Sequence, residues 1–181
     1  LIRTMLGCTP FIRASSRFSP TVSSWEVHQM DVLSEVLKAV KLDGAVFFNG
    51  EFSAPWCMRE PDSHTLASFL PSGPNHVFVF HLVTDGRCHY REKESDCAVP
   101  LEAGDIVILP HGNEHLMGNG PPVTPMDSAP HLKQIFAEGR ILSQLGGGGE
   151  TTKLVCGYLT CDPQLSQVFL ARLPQIIKVN I

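Results

Sequence analysis

Charge is scarce in this 181-residue chain: Asp, Glu, Lys and Arg make up 18% of it, and 14 basic against 18 acidic residues leave a net charge of -4. A chain with that balance has no basic field to hold a phosphate backbone, so it does not read as a nucleic-acid binder by itself. Long apolar runs are missing too. The longest, such as Ile106 to Leu109, have strand length, far short of the roughly 18 residues a membrane helix needs, and the chain reads as soluble with no membrane partner. Its six cysteines (Cys8, Cys57, Cys88, Cys97, Cys156, Cys161) contain no C-x-x-C pair and sit mostly in apolar context, which reads as reduced, buried thiols of a cytoplasmic protein. The one pairing the sequence suggests is Cys88 with Cys97 across a hairpin. A nucleophile elbow, a phosphate loop and a carboxylate pair in apolar strand context are likewise missing, so an enzyme reading has to rest on metal.

What is present is a core and many turns. Hydrophobic residues reach 43%, and Gly 15 with Pro 14 form about 16% of the chain against roughly 12% on average, which favours short strands over long helices. Residues 1–29 carry Arg3, Arg13 and Arg17 among Ser and Thr with no acid before Glu26; they read as a leader or flexible N-terminal arm ahead of one domain over 30–181. Val32, Leu33, Val36, Leu37 and Val40 predict a short N-terminal helix over about 31–42 with Asp31 as its cap. Leu165, Val168, Phe169, Leu170 and Leu173, following Asp162-Pro163, predict a C-terminal helical segment that stops before Pro174. Between them the sequence predicts strands at 45–48, 51–58, 76–83, 87–91, 98–101, 106–109 and 153–160. Turns are expected at Asn49-Gly50, Pro71 to Pro74, Asp85-Gly86 and Ala103-Gly104-Asp105, and loops at Gly118 to Pro130 and Gly146 to Gly149. The expected fold is mainly β, a sandwich or barrel.

Gly104, Pro110, Gly112, His115 and Asn119 stand at G-x5-P-x-G-x2-H-x3-N. The glycines and proline make turns on either side of an apolar strand, and His115 then enters the next strand pointing inward. This segment resembles the second motif of the cupins, which implies a double-stranded β-helix, the jelly-roll barrel. The family's first motif, G-x5-H-x-H-x3-4-E-x6-G, is degraded here: with Gly86 as its last glycine, Val79 takes the Glu slot and no histidine falls among Ser72 to Asn75. A divalent transition metal needs about three or four converging ligands, and His115 alone survives from the standard set. Strand alternation adds His81 to the inner face with Val77 and Val79, so His81 and His115 are expected to meet. They are either barrel histidines satisfied by hydrogen bonds or two ligands of a metal, with His76, His89 or Cys88 as additions. His111 reads as a solvent-facing turn residue.

A wider pattern runs through Asp31 to Phe48, Phe52-Ser-Ala-Pro-Trp56, His81 to Cys88, Leu101 to Pro110, Leu154 to Tyr158 and Leu170 to Pro174. It resembles the cupin-type ligand-binding domain at the N-terminus of AraC-family transcription regulators. That resemblance implies a small-molecule effector, a homodimer, and DNA contacts made only through a region missing from this chain. Trp56 is placed at the barrel mouth against an effector or in the core. Tyr90 is a candidate ligand contact, Arg87 belongs on a solvated outer face, and Phe47, Phe48, Phe78 and Phe80 are expected to pack inside. The run Arg91 to Asp96 reads as an exposed hairpin tip. The rival is a small cupin metalloenzyme, a dioxygenase or isomerase, using His81 and His115; a structural dimerisation module with a filled barrel is a third reading.

Overall fold

The computed structural model describes residues 12–15, 43–70, 76–93, 95–138, 145–161 and 173–181. Both expected terminal helices, at 31–42 and after Asp162, lie outside the described residues, as does the Pro71 to Pro74 turn. The strands in chain order are β1 (Ile12–Ser15), β2 (Asp43–Ser53), β3 (Trp56–Glu60), β4 (His76–Asp85), β5 (Arg87–Glu92), β6 (Ala98–Glu102), β7 (Asp105–Leu109), β8 (His115–Asn119), β9 (Met126–Asp127), β10 (Leu145–Gly146), β11 (Thr151–Cys161) and β12 (Ile177–Asn180). Two helices interrupt them, α1 (Ser63–Ala67) and α2 (Ala129–Glu138). The protein is mainly β, as the short strands and their turn residues predict.

Seven strands form one sheet in the order β1-β12-β7-β4-β11-β2-β10, and five form the other in the order β6-β5-β8-β3-β9. The two inner faces share one core. Val77, Val79, Val83, Val107, Leu109, Leu154, Phe48 and Phe52 come from the first sheet, and Trp56, Met58, Cys88, Tyr90, Leu101 and Met117 from the second. Period-two alternation produces this directly: in β4, Val77, Val79, His81 and Val83 are buried while their neighbours are not. Phe78 and Phe80 therefore fall on the opposite face, half-buried, and this corrects the expectation that they pack inside. Phe48 does pack inside, and the side chain of Phe47 lies outside those described.

Within residues 1–29, Ile12–Ser15 pairs in parallel with Ile177–Asn180 and adds an edge strand to the larger sheet. The Asn49-Gly50 dipeptide is not a turn. It lies within β2, opposite Val155 and Leu154, and the ring of Phe48 occupies the space a side chain at 50 would need. The chain instead passes from the larger sheet to the smaller at Ala54-Pro55, where the peptide is cis, so the predicted 51–58 strand is two strands. The Gly118 to Pro130 loop is interrupted by β9 and by the start of α2, whose Leu132 and Ile135 reach the core. Gly146 to Gly149 is exposed as a loop should be, but tied down: Gly147 N–H and Gly149 N–H donate to the Ser53 and Ala54 carbonyls.

Cys88 points into the core as a free thiol, whereas Cys97 follows the β5–β6 turn and is disulfide-bonded. Cys88 stands opposite Leu101 in the hairpin, so the 88–97 pairing does not form, and the reading of uniformly reduced thiols fails at Cys97. The Asp85-Gly86 turn closes as expected. Gly86 has φ +74°, and a Cβ there would meet the Thr151 carbonyl oxygen, which is backbone and cannot step aside. Gly86→Ala is expected to cost about 1–3 kcal/mol through left-handed strain plus this contact, read from the urea midpoint at constant m-value.

Candidate functional site

The turn residues of the Gly104 to Asn119 segment fix the histidine between them. Gly104 (φ +91°) and Gly112 (φ +58°) take left-handed conformations that bracket β7, and Gly112 lies against the Ser63 side chain. His111 is half-buried rather than solvent-facing: its Nε2–H donates to the Leu173 carbonyl at 3.1 Å. Asn113 Nδ2 donates to Glu92 Oε1 at 3.1 Å and Gln175 Oε1 at 2.7 Å. This turn therefore clasps the segment leading into β12 and leaves the Asn113 carbonyl aimed at the start of β8.

His115 opens β8 and is fully buried. Its Nδ1–H donates to the Asn113 carbonyl at 2.8 Å, and its Nε2 lies 2.9 Å from His81 Nε2. The other nitrogen of His81, Nδ1, lies 2.8 Å from Cys156 Sγ. One end of this row is a carbonyl, which only accepts, so the protons are assigned by elimination. His115 carries its proton on Nδ1 and accepts at Nε2; His81 carries its proton on Nε2 and accepts at Nδ1; Cys156 S–H donates. Burial pushes both imidazoles down, His81 well below the ordinary histidine range with the other ring adding to the effect, and His115 to about 4. Burial also raises the Cys156 thiol, with Glu60 adding to the rise. The row is neutral and carries its protons in one direction.

Register explains why these three side chains meet. Lys178, Val107, His81, Cys156 and Phe48 are successive partners across β12, β7, β4, β11 and β2, one transverse row of the larger sheet. In the smaller sheet the inward pairs of β3 and β8 are Trp56 with Asn119, Met58 with Met117, and Glu60 with His115. Tyr90, partnered with Met117, lays its ring 5.4 Å from that of His115. The expected meeting of His81 and His115 is thus present, with Tyr90 beside it. Trp56 stands at the other end of the ladder, 5% exposed, one face stacked on Phe52 at 4.5 Å. The remaining sequence candidates do not join them: His76 Nε2–H donates to the Pro110 carbonyl at 2.6 Å, His89 is half-buried on a different face from Tyr90, and Arg87 is exposed and paired with Glu150 at 3.0 Å.

Two groups of this interior escaped the sequence reading. Glu60, 6% exposed, accepts from Ser128 Oγ at 2.7 Å, and burial raises its carboxyl to about 7. Alternation from Trp56 through Met58 already placed it inward. Cys156 was visible only as a buried thiol, because its partner lies 75 residues away and is supplied by register. Among the described residues no group of three or more His, Cys, Asp or Glu is arranged to hold a metal ion. Two imidazoles whose four nitrogens are all engaged in hydrogen bonds do not fit the three- or four-ligand set such an ion needs.

A family profile described as Cupin matches residues 31–180. The chain belongs to the cupin family. No curated protein matches this cupin. Among solved structures it is similar to YhaK from Escherichia coli (TM-score 0.39, 15% identity, covering 77% of this chain and 41% of YhaK). It is also similar to unsaturated fatty acid-bound ToxT from Vibrio cholerae (TM-score 0.37, 7% identity, 77% and 40%) and to vicilin from Corylus avellana, hazelnut (0.27, 13%, 66% and 22%). This cupin spans about two fifths of the length of the first two. No helix among its described residues is long and apolar enough to cross a membrane.

Proposed function

We propose that this cupin is the effector-binding and dimerisation domain of an AraC-type transcription regulator, with DNA contacted by a region outside this sequence. The observation that carries the reading is the hydrogen-bonded row from Cys156 through His81 and His115 to the Asn113 carbonyl, which spends every imidazole nitrogen inside the protein. Such a row lines an interior with neutral polar groups and leaves no nitrogen lone pair for a metal. The AraC-like pattern over 30–181 and the net charge of -4 support a domain that senses a small molecule and leaves DNA to another unit.

A metalloenzyme and a sensor differ in composition. The purified protein is expected to carry only substoichiometric transition metal by elemental analysis, unchanged in His115→Ala. A full equivalent of metal that disappears with His115→Ala would replace the sensor reading with the cupin enzyme built on His81 and His115. A filled dimerisation module, in turn, predicts no ligand-dependent rise in melting temperature, because only a guest of the folded state raises it.

A further inference from the structure

Two buried nitrogen donors in the described chain have no hydrogen-bond partner: Trp56 Nε1 and Asn119 Nδ2. They are not scattered. Trp56 and Asn119 are register partners at the first position of β3 and the last of β8, on the face that carries Met58, Met117, Glu60 and His115. Side chains of such a pair stand about 5 Å apart at Cβ, which brings the two donors to the same end of the β3–β8 ladder. An orphaned buried N–H costs about 1–3 kcal/mol, and two side by side mark a place where an acceptor belongs.

We propose that Trp56 Nε1–H and Asn119 Nδ2–H form a two-donor subsite for an uncharged oxygen acceptor, a carbonyl or ether, on an otherwise apolar small molecule; this rests on the small-molecule reading above and names the chemical class it takes. The surroundings select against an anion. The buried charged residues of the described chain are Glu60 and Asp105, both acidic, and Asp105 already holds Lys178 at 2.7 Å. Arg87 is exposed and committed to Glu150. A carboxylate here would lose its hydration with no cation to replace it. The walls supply apolar contact: Phe52 covers one face of the indole, and Met58 and Met117 form the next layer inward. The indole thus meets its guest through its N–H edge. The Ala54-Pro55 turn, Gly120 and the Gly147 to Glu150 loop lie together at this end, where Ala54 N–H donates to the Glu150 carbonyl and Gly120 packs on Pro55.

The test uses the whole chain and three probes of one size: acetophenone, ethylbenzene and benzoate. Calorimetric titration is expected to show the ketone binding about tenfold more tightly than the hydrocarbon, the yield of two modest hydrogen bonds, with benzoate weakest. That advantage should vanish in Trp56→Phe and in Asn119→Leu while hydrocarbon binding persists. The wild-type protein gives a second readout that needs no variant to fold: the Trp56 indole N–H proton should move downfield on adding acetophenone and stay put with ethylbenzene. Equal binding of ketone and hydrocarbon overturns the subsite and leaves the small-molecule reading standing. No binding of any probe overturns both. An indole proton that ignores the ketone, because a buried water or the turned Asn119 amide already fills its need, overturns the subsite as well.

Discussion

His81→Ala is expected to lower the stability of this cupin by about 3–5 kcal/mol, among the largest effects of any single substitution in the barrel. His81 is the middle of the row, so its removal strands groups on both sides: Cys156 S–H loses its acceptor, and His115 Nε2 loses its donor. Each buried orphan costs about 1–3 kcal/mol, and the space left by a fully buried imidazole among Val79, Val107 and Cys156 adds a cavity term. Cys156→Ala removes an end of the row instead and should cost about 1–2 kcal/mol, since it orphans a single acceptor. Urea denaturation of both variants at pH 7.5 measures the contrast. A His81→Ala loss under about 1 kcal/mol would show that the row does not hold the two sheets together.

The second large effect depends on pH. Burial raises the Glu60 carboxyl from 4.5 to about 7, so between these values the folded chain holds a proton that the unfolded chain has released. Stability from this group is therefore complete below about 4.5 and falls as pH rises toward 7, a total of about 3 kcal/mol at about 1.4 kcal/mol per pH unit. The two histidines act with the opposite sign. Their folded values are depressed, so as pH drops below 6.5 the unfolded chain takes up protons the folded chain refuses, and stability is lost toward acid. Two histidines outweigh one carboxyl in the window they share, which puts the stability maximum between about pH 6 and 7. Glu60→Gln keeps an oxygen for the Ser128 hydroxyl and removes the titrating group. It should gain up to about 3 kcal/mol at pH 8, change little at pH 4.5, and turn the alkaline decline into a plateau. An unchanged urea midpoint at pH 8 would mean that Glu60 is ionised in the folded barrel at little cost.

Much of this architecture can be read from the residues wherever one local rule acts alone. Glycines and a proline at fixed spacing bend the backbone around β7, and period-two alternation sends His81 and His115 to one interior. Reading failed where a distant contact overrules a local signal. Asn49-Gly50 carries turn composition, yet it stays extended because β11 pairs along the full length of β2 and the Phe48 ring takes the free space beside Gly50. Helix α2 hides behind a polar stretch, and only Leu132 and Ile135, three apart and buried, betray it. Glu60 and Cys156 gain their roles from strands far along the chain, and register of that kind is invisible in a single sequence. Likewise the two idle donors at Trp56 and Asn119 exist only once β3 and β8 lie side by side.

The transverse row through Lys178, Val107, His81 and Cys156 also ties the last strand to the middle of the fold. Strand β12 abuts β7 and β7 abuts β4, so a sideways slip of the last strand by one residue would reach the imidazoles after crossing only two ladders. Lys178 anchors that strand to both sheets, gripping the Asp105 carboxylate on β7 and the Pro100 carbonyl on β6. The C-terminal strand is thereby fastened by a salt bridge at one end of this row, two ladders away from the proton-bearing atoms at its centre.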